Sequence, residues 1–103
     1  EETADIVYRD DYITAFKDID PNAPVHILII PNKTIVSLND IQEEDSSYLS
    51  NILLGAKKIA KQFNIDEMGY RLITNCGSDG GQEVPYLHFH LVGGLKLLLC
   101  WYN

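Results

Sequence analysis

Three histidines, His26, His88 and His90, carry most of the chemistry this chain can offer, and two of them stand one residue apart. Ahead of that pair lies Asn75-Cys76-Gly77-Ser78-Asp79-Gly80-Gly81, where glycines can bring a backbone close to a phosphate. If Tyr86 to Leu91 is extended, its side chains alternate: Tyr86, His88 and His90 point one way, and Leu87, Phe89 and Leu91 the other. One face then offers imidazoles, available in neutral form near pH 7 as nucleophiles or proton donors, and the other offers core. A different chemistry fits the same residues. His88 and His90, with His26 nearby, form a three-histidine set of the kind zinc uses in open catalytic sites, and spacing alone leaves both readings open. Each part also has a plainer explanation. Three glycines in a loop make an ordinary turn, and an isolated strand histidine is most often a satisfied core side chain.

The elements that must position these residues are short. Ile6-Val7-Tyr8 and Ile13-Thr14-Ala15-Phe16 flank Asp10-Asp11 and predict a hairpin. Asp18 to Pro24 breaks regular structure with two prolines, so a loop follows, and on sequence alone Asp18 there is a solvated charge. Val25 to Pro31 is apolar at nearly every position except His26, the pattern of a central strand covered on both faces. From about Ile41 to Phe63, Tyr48, Leu49, Ile52, Leu53, Ala56, Ile59, Ala60 and Phe63 recur at helical spacing. Asp40 with Glu43 suggests a capping box at its start, and Asn64 a cap at its end. Tyr70 to Thr74 is another short strand. The expected architecture is α+β, with about five antiparallel strands and one main helix.

The 103 residues predict a single domain, and 46% hydrophobic content suffices for one core. A formal net charge of -7 and the absence of a basic stripe make a nucleic acid polymer a poor partner; Lys57, Lys58 and Lys61 sit late in the helix, where cations complement its dipole. Two cysteines, Cys76 and Cys100, make no disulfide framework, and residues 95 to 101 are apolar but too short to cross a membrane. The expectation is a cytoplasmic protein.

The order of these residues resembles the histidine triad (HIT) superfamily, in the branch of small nucleotide-binding proteins similar to purine nucleoside phosphoramidases. That family's signature, His-x-His-x-His after Gly-Gln-x-Val and before Gly-Gly, is matched by Gly81-Gln82-Glu83-Val84, Tyr86-Leu87-His88-Phe89-His90 and Leu91-Val92-Gly93-Gly94. Phe16-Lys17-Asp18-Ile19, Ala23 to Pro31 and Gly69-Tyr70-Arg71-Leu72 extend the likeness over residues 5 to 94. It departs at Tyr86, where the family has the first histidine, and at Leu95, where relatives often carry a basic or polar residue.

The resemblance implies a HIT-like fold and a reaction at the α-phosphate of a purine nucleoside phosphoramidate or related nucleotide. His88 would be the nucleophile, forming a nucleotidyl-histidine that water cleaves. His90 would bond the phosphate or departing atom, His26 would support the array, and Glu83 would meet the leaving group. Asn75, Gly81 and the amides of Gln82 to Val84 would hold phosphate oxygens. Asp18 would bind the ribose hydroxyls, and Ile19, Phe16 and Leu28 would wall an AMP- or GMP-like base. Tyr86 would replace a histidine of the hydrogen-bonded array with a larger group that does not titrate near neutrality. No cofactor or metal is implied, and the long helix would line a homodimer interface. The family's short helix ahead of the first strand is expected to be missing from residues 1 to 103, read as one HIT domain. The alternative is a nucleotide-binding or protein-interaction module with weak or no catalysis.

Overall fold

The computed structural model describes residues 5–97. The predicted tail residues beyond Leu97, Cys100 included, lie outside them, as do residues 1–4. The β-branched and aromatic runs at the start form β1 (Ile6–Arg9) and β2 (Ile13–Lys17), an antiparallel hairpin. Asp10 makes the turn, because its Oδ1 accepts the amides of Tyr12 and Ile13 at 2.8 and 2.9 Å while Tyr8 Oη donates to Oδ2. After the proline-rich loop comes β3 (Val25–Pro31), then α1 (Ser46–Gln62), β4 (Tyr70–Ile73) and β5 (Phe89–Gly93). All neighbours pair antiparallel in the order β1-β2-β3-β5-β4, so β3 and β5 lie inside the sheet. The expected five strands and one main helix are what forms.

Register decides what each face does. Leu28 pairs with His90 and His26 with Val92, which puts both histidines on one face. Ile27 and Ile29 turn the other way and pack, with Ile13, Ala15 and Leu91, under Ile52, Ala56 and Ile59 of α1. Gly55 lets the helix approach closely, since a Cβ there would collide with Ile13 Cδ1. The expectation that β3 is covered on both faces is corrected. Ile27 and Ile29 are buried under the helix, but Leu28 and Ile30 are only half-buried because they wall a cavity. An apolar cavity wall and a second packed layer leave the same hydrophobic run in a sequence.

The helix starts later than its periodicity suggests. Residues 38–45 form two 3-10 turns, Leu38–Asp40 and Glu43–Asp45. Asp40 is held by Ser37 Oγ at 2.8 Å, whereas Asp45, almost fully buried, accepts the Gln42 amide at 2.9 Å. The capping box ahead of α1 therefore pairs Gln42 with Asp45 around the second 3-10 turn, rather than Asp40 with Glu43. Leu53 also leaves the predicted core stripe and is 60% exposed. At the other end Asn64 takes φ 61°, its amide bonds Lys61 O at 3.1 Å, and the Ile65 amide bonds Ala60 O at 3.0 Å. This is the left-handed stop expected of asparagine after a helix.

Candidate active site

β5 begins at Phe89, so His88 and Tyr86 stand just before the ladder rather than inside the strand their alternation suggested. Pro85 has no amide to donate, and the Leu87 amide bonds Ile35 O at 2.7 Å instead of a neighbouring strand. The alternation survives without the ladder: Leu87 is buried, His88 half-buried and Tyr86 exposed. Thr74 Oγ1 donates to His88 O at 2.7 Å and fixes the nucleophile candidate's main chain.

Two hydrogen-bonded assemblies set the imidazoles. His88 Nδ1 lies 2.8 Å from Tyr86 O. A carbonyl only accepts, so Nδ1 carries the proton and Nε2 keeps its lone pair. Beside it, the His90 ring lies 5.1 Å from that of His88, centre to centre, at 69°. His90 and His26 are both buried, and His90 Nδ1 is 2.9 Å from His26 Nε2. Asp18 Oδ2 approaches the same His26 Nε2 at 3.2 Å, and the Asn22 amide donates to His26 Nδ1 at 3.1 Å. Asp18 is thus part of the array, not a solvated loop charge.

Burial pushes the His90 pKa down to about 4, helped by the positive charges that His88 and His26 can carry and opposed by Asp18. Burial likewise lowers His26, against the pull of Asp18. Both rings are therefore neutral at pH 7. Asp18 Oδ2, His26 Nε2 and His90 Nδ1 lie within 4.8 Å of one another, a spacing a metal ion could bridge. This trio contains Asp18 in place of the His88 suggested by spacing, and metal binding there would have to displace the His26 Nε2 proton.

The imidazoles open on a cavity of about 720 Å³. Its wall brings together Phe16, Asp18, Ile19 and Leu28 from β2, β3 and their loop with Glu83, Val84, Tyr86 and the three histidines. Ile19 is 81% exposed, so it forms a lip rather than a packed wall. Asn75, Gly81 and Gln82 are not in the wall. Gln82 instead braces the loop: its amide bonds Gly77 O at 3.0 Å, its Oε1 accepts the Gly77 amide, and its Nε2 donates to Val36 O and Val84 O. Its backbone donor is spent inside the turn, which corrects the expectation that it holds phosphate.

Lys33 lines the cavity and escaped the sequence reading. Its ammonium pairs with the buried carboxylate of Asp45, so one cation is held at the cavity rim. The only sequence signal was its place just past the end of β3. Asp20 and Asn22 in the loop before β3 also line the wall.

The HIT domain family model matches residues 1–97. The purine nucleoside phosphoramidase of Escherichia coli (strain K12) is 53% identical over 94 residues, covering 91% of this chain and 79% of that protein. A HIT family hydrolase from Legionella pneumophila superposes with a TM-score of 0.90 at 50% identity, over 93% of this chain and 86% of the other. A histidine triad protein from Clostridium difficile gives a TM-score of 0.90 at 46% identity, over 95% and 85%.

Proposed function

This chain belongs to the HIT domain family, and from that premise we propose that it hydrolyses purine nucleoside phosphoramidates or related nucleotides at the α-phosphate. The observation that carries the reading is the His88 Nδ1 contact to Tyr86 O, which leaves Nε2 unprotonated beside a buried, neutral His90 at the cavity wall. The Nε2 lone pair attacks phosphorus, an Nε2–P bond forms, and the P–N bond breaks with its electron pair leaving on the amine. Neutral His90 hydrogen-bonds the departing nitrogen, which takes its proton from solvent water and leaves hydroxide, and the imidazolium formed on His88 is stabilised by the Tyr86 carbonyl. Water then attacks phosphorus, its released proton neutralises the hydroxide left by the first step, and the nucleotide and neutral His88 are released.

Asp18 accepts from the ribose hydroxyls, Phe16, Leu28 and Ile19 flank the base, and Glu83 faces the leaving group. No metal is needed for the displacement. Leu53 and Leu54 on the outer face of α1, 60% and 55% exposed, are the apolar surface that a second copy would cover in a homodimer. No helix among the described residues is long and apolar enough to cross a membrane, which accords with a cytoplasmic setting. A binding module without catalysis was suggested by Tyr86. Its support weakens because residue 86 meets His88 through its carbonyl, which every side chain leaves in place.

The test is intact-mass spectrometry after brief mixing with an adenosine phosphoramidate, quenched so that phosphohistidine bonds survive, beside a His88→Ala control and with released AMP measured on the same samples. An added adenylyl group, or AMP release, that disappears in the control is the expected result. Nucleotide binding with neither adduct nor product would overturn the reading in favour of a binding module.

A further inference from the structure

The loop between β2 and β3 folds back on the buried histidine pair in a way that a sugar-binding carboxylate does not require. The Asp18 amide donates to His26 O at 3.0 Å, and Asp18 Oδ1 accepts the Asp20 amide at 2.9 Å. These bonds aim the remaining oxygen, Oδ2, at His26 Nε2, 3.2 Å away. On the opposite edge of the same ring, the Asn22 amide donates to Nδ1. A main-chain N–H has no choice of role, so His26 Nδ1 must accept, and a neutral ring must carry its proton on Nε2.

That single N–H faces two acceptors, Asp18 Oδ2 at 3.2 Å and His90 Nδ1 at 2.9 Å. Because Nδ1 of His90 then accepts, the His90 proton resides on Nε2. We propose that Asp18, besides any contact with the sugar, is a positioning residue that locks His26, and through it His90, in the tautomer with its proton on Nε2. The loop residues Asp18 and Asn22 grip the two edges of one imidazole, and the consequence is read at a second imidazole on β5. The inference rests on the proposed function only for its kinetic consequence, since the tautomers exist without substrate.

Asparagine at position 18 distinguishes the two tasks. To keep the bond from the Asp20 amide it must present its oxygen there, which turns its NH₂ toward His26 Nε2–H, donor against donor. The His26 ring can relieve this only by giving up its bond to Asn22 or its proton on Nε2. Either change removes the donor that holds His90 Nδ1.

Two measurements test this on the full chain. The first is nitrogen-15 NMR of the imidazoles without ligand at neutral pH. The wild type is expected to show His90 protonated on Nε2 and bare on Nδ1, and Asp18→Asn to show a mixed or inverted His90. A wild-type His90 carrying its proton on Nδ1 overturns the proposal whether or not the variant folds, and so does an unchanged His90 in a folded variant. The second is the single-turnover rate on an adenosine phosphoramidate and on its 2′,3′-dideoxy counterpart. A positioning role predicts that Asp18→Asn still loses about tenfold or more on the dideoxy substrate, within the range of a hydrogen-bond donor's contribution. A loss confined to the ribose substrate would assign Asp18 to the sugar alone and overturn the inference. If the wild type turns over neither substrate, the proposed function has failed, and the NMR measurement still decides the tautomer.

Discussion

β3 and β5 carry two different proteins on their two faces. Under α1, Ile27, Ile29 and Leu91 make a dry layer in which each side chain is fully buried and none is polar. One residue along, His26 and His90 are just as buried but polar, joined to each other and to Asp18 and Asn22. Period two separates the faces by a single position. Substitution on the helix face should lower stability and spare chemistry, and substitution on the cavity face should do the reverse. The lesson is that burial alone does not distinguish core from site, and what differs is whether each buried atom's partner is chosen by packing or by proton placement.

The largest expected effect lies on the cavity side. His88→Ala should lower the first-step rate at least about a thousandfold, because under the proposed mechanism it removes the atom that attacks phosphorus. Its melting temperature should stay near that of the wild type, since His88 is only half-buried; a large loss of stability would break the separation of faces. On the helix side, Ile59→Ala deletes a fully buried side chain and should cost about 2–5 kcal/mol in denaturant unfolding. Its KM for the phosphoramidate should not move, and a change in KM with unchanged folding would show that the layers are coupled.

The pH dependence of stability sharpens the contrast. His90 has a folded pKa of about 4, below its ordinary value near 6.5, so the unfolded chain binds the proton more readily. Stability from keeping His90 neutral is therefore complete above about pH 6.5 and is lost as the pH falls toward 4, on the order of 3 kcal/mol in all. His26, shifted in the same direction, adds to the same slope. His90→Gln should flatten the dependence in this window, measured by denaturant unfolding at several pH values, while Ile59→Ala should shift the whole curve without changing its slope.

The helix face was the more legible in sequence. Ile52, Ala56 and Ile59 recur at helical spacing, and hydrophobic burial needs little beyond that repetition. The start of α1 was misplaced because the capping box falls at Gln42 and Asp45, around a 3-10 turn ahead of the helix, and neither that turn nor the tertiary pairing of Asp45 with Lys33 is visible in the sequence. For the site, the spacing of His88 and His90 could be seen, but not that His26 would reach His90 diagonally across β3 and β5, since that depends on register. Gln82 was read as a phosphate donor because its motif position is visible, whereas the bond that spends its amide on Gly77 is set by backbone conformation. Asp18 shows the same limit, because a carboxylate among loop residues looks solvated until the loop folds back on His26.

Residue 86 carries the smallest expected effect and the most direct check on how the cavity face is built. In sequence Tyr86 is the main departure from the family signature. In the structure its side chain is 53% exposed while its carbonyl holds His88 Nδ1 at 2.8 Å. If the main chain alone sets the tautomer of His88, Tyr86→Phe should leave the first-step rate within about threefold, since it removes one exposed hydroxyl and no buried partner. Tyr86→His returns the family residue, and any gain in rate must then come from a new side-chain contact, because the carbonyl is already in place. A large fall in rate in Tyr86→Phe would mean that the tyrosine hydroxyl reaches the substrate. The substitution would then have moved a catalytic contact from the histidine array to the cavity rim, and the division between the two faces would no longer describe where the chemistry is held.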